Sequence, residues 1–500
     1  MAPLVLPTSP DFLGLQAARG GGGGLVFADR RIPWGELDGA VVELAAWLGR
    51  RGLGAGQRVG VMAGNVPAMA SMLYAVWGSG AVAVPIGTRA TAEEIGQLCS
   101  HARARMLLCD EARAETARAA GVPAVVCAPD LPLRPRVLRR PPRVTARLTA
   151  RRTELAVIAY TSGTTGVPKG VMLTHGNVLW ATLACAQARG DASGSVGACL
   201  SPLTHVPVLV SHLLCRILMG GTAVLFQRFD LEALLDAVPR HGITDLPLIG
   251  GMVFDVVGMR EMPLSVRTVV RKVSVGGAPT PMDAKRALAA MLPEAEIIEA
   301  YGQTESTDGV TMARGTTVLD RPGTVGTTNP HVVVACRRAD GRLADPDEEG
   351  EVVVGGPTIM QGYWREAAAT AGAIRDGWLH TGDVGRRDAA GFLFLTGRVK
   401  DIIISGGENV SPAEVEAVLR AHPDVVDVAV IGTPHPRWGE QVTAVVVCRP
   451  GAAVDGGALA DFAGRRLASF KKPRRVEFVL ALPRNAHNKV ETHRLKEQFA

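Results

Sequence analysis

The sequence predicts an α/β protein in two parts, a large amino-terminal one rich in mostly parallel sheet and a small carboxyl-terminal α+β one. Three observations carry this expectation. Strand-like and helix-like segments alternate from about residue 58 to residue 300, the pattern of a sheet with helices on its faces. From about residue 320, short β-like runs at 332–337, 351–354 and 391–395 are separated by Gly, Pro and Asp turns, which suits a small barrel or curled sheet. A compact stretch then begins at Gly397-Arg398-Val399-Lys400-Asp401, with helix and strand signals of its own. The chain has 500 residues, 47% of them apolar. That length exceeds one ordinary core, and the composition can fill more than one.

The elements follow in order. Residues 1–25 read as irregular, with a flexible glycine run from Gly20 to Gly24. Residues 37–51 have helical spacing and end at Gly52. Residues 58–62 and 81–85 read as strands around a helix from Pro67, followed by a helix at 91–102 and a strand at 106–109. Further on, helices are expected at 176–187, 208–219, 231–240 and 281–291, and strands at 198–203, 222–226, 244–249, 272–275 and 296–299. In the last part, Ser411-Pro412-Ala413-Glu414 reads as a capping box with proline at the first helical position. Strands at 425–431 and 442–447 and a helix around 459–467 complete it.

Charge and cysteine usage narrow the class. The net charge is +6, but residues 134–152 hold eight arginines and no acid. A proline-rich solvated linker accounts for this run better than a patch for an anionic partner such as nucleic acid, CoA or membrane, because no aromatics interleave for base stacking. Eight cysteines are scattered without a Cys-x-x-Cys pair or a Cys/His cluster. This points to a reducing, cytoplasmic setting and away from zinc. No basic segment leading into an apolar core marks a secretory signal. Residues 59–88 carry no charge, which is long enough to span a bilayer. The prolines and glycines within that stretch instead break it into strand, helix and strand, so a buried βαβ unit is expected and no membrane span.

The most informative stretch is Tyr160-Thr161-Ser162-Gly163-Thr164-Thr165-Gly166-Val167-Pro168-Lys169-Gly170. Its glycines allow tight turning that presents backbone N–H groups to an anion. Its hydroxyls donate to phosphate oxygens, and Lys169 adds a mobile positive charge. Apolar runs on either side read as strands, so a phosphate cradle hung between two strands is expected. A Walker A loop, which leads into a helix through GxxxxGK[ST], does not fit.

This loop resembles the nucleotide loop of the adenylate-forming superfamily, which includes acyl-CoA synthetases, adenylation domains of peptide synthetases and beetle luciferases. Further segments extend the resemblance over nearly the whole chain from about residue 30, toward the fatty-acid and aryl-CoA ligase branch. It implies a domain of residues 1–399 with two doubly wound sheets and a β-barrel-like subdomain, and a mobile domain of residues 400–500. In Tyr301-Gly302-Gln303-Thr304-Glu305 it implies that Tyr301 and Gly302 lie at adenine, Thr304 bonds the α-phosphate and Glu305 holds Mg²⁺. Gly277, Ala278 and Pro279 would pack on the other adenine face. Asp383 would accept from the ribose hydroxyls, and Arg398 would reach the ribose or phosphate. Lys400 stands where the family places its hinge, and Gly406, Gly407 and Glu408 where it lines the pantetheine tunnel of CoA. Lys489 resembles the lysine that binds the carboxylate and α-phosphate, although His487-Asn488 replaces the usual Thr-Gly or Ser-Gly. His205 matches a position bordering the acyl site, and is also the kind of histidine that is structural beside an apolar helix. Gly250-Gly251 either opens room for a bulky or flat acid or forms a turn.

The implied reaction uses ATP, Mg²⁺, CoA and a hydrophobic carboxylic acid. The carboxylate attacks the α-phosphorus, pyrophosphate leaves, and the CoA thiol then displaces AMP from the acyl group. Alternatives are loading of a carrier protein, oxygenation of an acyl-AMP, and non-catalytic nucleotide binding. Monomer and homodimer both remain open.

Overall fold

The computed structural model describes residues 9–127, 152–161, 168–277, 280–399, 401, 403–405, 408–452, 454–467, 469–484 and 490–499. The chain divides into two compact units, Met1–Val334 with Val354–His380, and Ala335–Val353 with Thr381–Ala500. The arginine-rich run lies outside the described residues, save Arg152.

The first unit holds two sheets. In one, Arg58–Met62, Val82–Pro85, Ala104–Cys109, Val125–Cys127 and Leu155–Thr161 are joined by parallel pairings. Lys169–Thr174 and Gly362–Tyr363 extend its edge antiparallel. Val59, Val61, Val82, Val84, Leu107 and Leu108 are buried, as expected of parallel strands covered on both faces. The charge-free stretch is the expected strand–helix–strand. Its helix Pro67–Gly78 starts on proline and is buried over most of its length. Among the described residues, no helix is long and apolar enough to cross a membrane.

The other sheet runs in the order Arg30–Pro33, Gly24–Phe27, Thr222–Leu225, Val196–Cys199, Asp245–Ile249, Lys272–Gly276, Glu296–Gly302, Gly309–Arg314, Thr324–Thr328. Pairing is parallel from Gly24–Phe27 to Glu296–Gly302 and antiparallel at both ends. Helices Leu231–His241, Gly251–Val257 and Met282–Met291 contribute to a core with Leu234, Val238, Val253, Leu246, Val273 and Leu288.

The amino-terminal expectation needs correcting. Ser9–Arg19 is a helix, and Gly24 opens a strand. Gly23 and Gly24 serve close approach. A Cβ on Gly23 would lie 2.3 Å from the carbonyl oxygens of Gly220 and Gly221, and Trp34 Nε1 donates to the Gly221 oxygen at 3.1 Å. The expected helix at 208–219 is also interrupted, by a π-helical turn at Leu209–Leu214 ahead of Cys215–Met219.

The second unit takes most of Val333–Arg337, Glu349–Gly355 and Trp378–Arg387 and all of Leu393–Arg398, neighbours in that order and an open run rather than a closed barrel. Its other sheet pairs Glu408–Val410, Ile403–Ser405, Gly439–Cys448 and Val425–His435, with Arg475–Phe478 beside Gly439–Cys448. Helices Pro412–Arg420 and Gly456–Gly464 contribute Val415, Leu419, Leu459 and Ala463 to its core. The capping box at Ser411 does not form. The Ser411 hydroxyl instead donates to the Thr396 carbonyl, and Glu414 pairs with Lys471 at 2.7 Å.

Candidate functional site

Three neighbouring strands of the first unit end at one rim. Asp245–Ile249, Lys272–Gly276 and Glu296–Gly302 are parallel and in register, with Ile249 opposite Gly276 and Gly276 opposite Ala300. Gly250, Gly277 and Tyr301 therefore stand side by side, at the carboxyl edge where open α/β sheets place ligands. Gly250 has φ 59° and ψ −121°, a conformation that a side chain would strain. A Cβ on Gly250 or Gly251 would meet no atom within 4 Å. Gly250 thus makes the turn, and both glycines border open space.

The loop bearing His205 follows Val196–Cys199, which adjoins Asp245–Ile249 through Gly197 and Asp245. Buried Asn65 holds that loop, donating to the carbonyls of Ser201 at 2.8 Å and Cys199 at 3.3 Å. Its Oδ1 accepts from the Leu203 N–H at 2.9 Å. The His205 carbonyl accepts the Leu209 N–H at 2.8 Å, so His205 stands at the entry of the interrupted helix.

Tyr301 and Gly302 lie in the last strand, at a bulge. A Cβ on Gly302 would sit 2.2 Å from the Asp308 carbonyl oxygen, so only glycine fits there. Thr304–Ser306 forms a 3₁₀ turn, capped where Ser306 Oγ accepts the Gln303 N–H at 3.0 Å. Thr307 follows in the left-handed region with φ 70°, and its Oγ1 donates to the Thr358 carbonyl at 2.6 Å. A β-branched residue in that conformation persists only where its surroundings hold it. The Glu305 carboxylate accepts the Tyr363 hydroxyl at 3.0 Å, and Lys169 Nζ lies 5.1 Å from the Tyr363 ring centre. Lys169 and Glu305, far apart in the chain, are thereby brought together. Thr161 is paired directly with Lys169, so the two ends of the expected phosphate loop face each other across two strands. Ser162, Gly163, Thr164, Thr165 and Gly166 lie outside the described residues.

Beneath Tyr301, Glu299 forms a buried ion pair with Lys285. Burial holds the Glu299 carboxyl above its ordinary range against the opposing pull of Lys285. Elsewhere in this unit burial lowers His175 to about 4 and His212 to about 3, and raises Asp308 to about 7.

In the second unit, Asp383 and Arg398 are cross-strand partners. Arg398 Nε donates to Asp383 Oδ1 at 2.7 Å. The turn before Asp383 is tied down by Thr381 Oγ1 donating to the Val352 carbonyl at 2.7 Å and by the Gly382 N–H donating to Glu351 Oε1 at 3.2 Å. Ala278, Pro279, Lys400, Gly406, Gly407 and Lys489 lie outside the described residues, as does the Glu408 side chain.

Sequence reasoning missed Tyr363, Asn65 and the Lys285–Glu299 pair. The pair carried a signal: Lys285 adjoins Ala284 and precedes Leu288, all buried on the helix, and Glu299 stands in an apolar strand. Two charges at buried positions in neighbouring elements suggest a pair. Among the described residues, no group of three or more His, Cys, Asp or Glu could cage a metal. The lone Glu305 carboxylate suits a hard divalent cation that takes its remaining ligands from phosphates and water.

Comparison with known proteins identifies the family and the fold. Residues 16–364 match the family model described as AMP-binding enzyme, and residues 414–489 match the AMP-binding enzyme C-terminal domain. A feruloyl-CoA synthase from Amycolatopsis sp is 36% identical over 486 residues, covering 97% of this chain and 96% of that protein. The structure of o-succinylbenzoate CoA synthetase from Bacillus subtilis with its acyl-adenylate intermediate superimposes with a TM-score of 0.86 at 28% identity, covering 98% of this chain and 99% of that one. The same synthetase in complex with ATP and magnesium ion gives a TM-score of 0.83 at 27% identity, covering 97% and 98%.

Proposed function

The chain belongs to the AMP-binding enzyme family, and from that premise we propose that it is an ATP-dependent ligase joining a carboxylic acid to CoA through an acyl-AMP. The observation that carries this reading is the convergence of Lys169, at the foot of the phosphate loop, and Glu305 on Tyr363, the ammonium over its ring and the carboxylate at its hydroxyl. That arrangement sets a cation and a carboxylate beside the phosphate loop's ends. The solved relatives, bound to ATP and magnesium ion or to an acyl-adenylate, support it.

In this reading the phosphates lie against the loop from Thr161 to Lys169, and Thr304 donates to the α-phosphate. Mg²⁺ would be held by Glu305 and phosphate oxygens, neutralising charge as the α-phosphorus is attacked. Tyr301, Gly302, Gly277, Ala278 and Pro279 border adenine, and Asp383 with Arg398 serves the ribose. Lys489 orients the carboxylate for in-line attack. Residues 1–399 form the adenylating part and residues 400–500 a part that turns about Lys400, bringing Gly406, Gly407 and Glu408 to CoA. The match of residues 414–489 to a separate domain model supports that division. Attack of the CoA thiol on the acyl carbon releases AMP.

The acid is proposed to be hydrophobic, and aryl before aliphatic. The open space at Gly250 and Gly251 adjoins Ile249 and Met252, and the relatives compared are named for feruloyl and succinylbenzoate groups. Buried cysteines such as Cys99, Cys109, Cys185 and Cys215 support a cytoplasmic setting.

The test is pyrophosphate release from ATP and Mg²⁺ over a panel of aromatic, aliphatic and dicarboxylic acids, with and without CoA. Sustained turnover that needs one acid class together with CoA is expected. Exchange that CoA cannot pull forward would move the acceptor to a carrier protein. Silence across the panel, with ATP shown to bind, would overturn the ligase.

A further inference from the structure

We propose that Tyr363 is a positioning residue, fixing the Glu305 carboxylate for its cation while seating Lys169 on its ring; this rests on the reading of Glu305 as the metal-holding group. Tyr363 belongs to a strand of only two residues, Gly362–Tyr363, added to the sheet edge beside Lys169–Thr174. Backbone bonds pin it on both sides. The Gln361 N–H donates to the Met172 carbonyl at 2.9 Å, and the Trp364 N–H to the Gly170 carbonyl at 2.7 Å. Trp364 Nε1 also donates to the His101 carbonyl at 3.1 Å. The same segment is tied to the 3₁₀ turn, since the Met360 N–H donates to the Glu305 carbonyl at 2.9 Å and Thr307 donates to Thr358. Residues 358–364 therefore link the foot of the phosphate loop to the turn carrying Thr304 and Glu305.

The side chain completes the link. Its hydroxyl donates to Glu305 Oε1 at 3.0 Å, which engages one carboxylate oxygen and leaves the other as the one to offer a cation. The ring face attracts the Lys169 ammonium without neutralising it, so the charge stays available to phosphate. An ion pair between Lys169 and Glu305 would quench both groups; the intervening phenol holds each near its task.

The test compares MgATP with ATP in EDTA by titration calorimetry on the full chain. The ratio of the two dissociation constants reports the metal's contribution. Glu305→Gln is expected to collapse that ratio to about 1. Tyr363→Phe keeps the ring and the strand and should cut the ratio about tenfold, as fits loss of a hydrogen bond to a charged group. Affinity for ATP in EDTA and the melting temperature should hold. In a Glu305→Gln background, Tyr363→Phe should add nothing. A wild-type ratio in Tyr363→Phe, with Glu305→Gln collapsed, would overturn the positioning role alone. A wild-type ratio in Glu305→Gln would overturn the reading of Glu305, and the proposal with it.

Discussion

The Glu305 corner of the first unit and the Asp383–Arg398 pair of the second hold their carboxylates by different physics. Glu305 is set by segments far apart in the chain, with its partner Tyr363 on an added edge strand and its turn braced by Thr307 and Thr358. The strand leading to it rests on the buried Lys285–Glu299 pair. Asp383 and Arg398 face each other across one hairpin, and register alone brings them together. The Asp383 side chain is 12% exposed and that of Arg398 53%. A corner assembled by tertiary convergence is costly to disturb, whereas the hairpin pair is local and solvent reaches its Arg398 end.

The largest expected effect breaks that contrast at its base. Lys285→Met leaves Glu299 buried and unpaired, and should cost about 3–5 kcal/mol of stability, measured by urea unfolding. Arg398→Met should cost no more than about 1 kcal/mol. Because the folded pKa of Glu299 is raised, the folded state binds its proton more tightly. Stability is therefore retained at acid pH and lost as pH rises above the ordinary carboxylate range, more steeply in Lys285→Met. Equal costs for the two variants would abolish the distinction.

Acid should strain the first unit through His175, which is buried edge-on to Trp77 and lowered to about 4. A depressed base favours the folded state while neutral. Its contribution is present above pH 6.5 and lost as pH falls toward 4, by about 3 kcal/mol. His175→Phe should flatten that part of a stability–pH curve, and an unchanged slope would exclude His175 as its source.

Asp383→Ala should raise the KM for ATP roughly 10- to 100-fold by removing a charged acceptor, with little change in kcat. A change in kcat alone would point away from ribose binding. The smallest effect concerns the cap that did not form. Ser411→Ala should cost only about 1 kcal/mol, and it should add independently to Glu414→Ala. Strong coupling between the two would show a capping box in solution after all.

Much of this was legible in the sequence, for physical reasons that can be named. The parallel core was visible because strands such as Arg58–Met62 and Val82–Pro85 are apolar on both faces and bounded by turns. The carboxyl-edge turns at Gly250, Gly277 and Tyr301 could be read from strand ends and glycines. Tyr363 could not, because its partner lies 58 positions away and nothing local marks a phenol as a carboxylate's donor. Gly23 misled because tight backbone packing and a flexible linker have the same local composition. Ser411 misled because a capping pattern does not reveal that the Thr396 carbonyl competes for the hydroxyl.

In the proposed function the Glu305 corner serves the phosphates and their cation, while the Asp383 pair serves the nucleoside. Acid-dependent ATP–pyrophosphate exchange by Glu305→Gln and Asp383→Asn, at saturating Mg²⁺ and varied ATP, tests it most directly. Glu305→Gln should lower the maximal exchange rate about 10²–10³-fold, and Asp383→Asn should chiefly raise the ATP concentration needed. A Glu305→Gln enzyme exchanging at the wild-type maximal rate would contradict it.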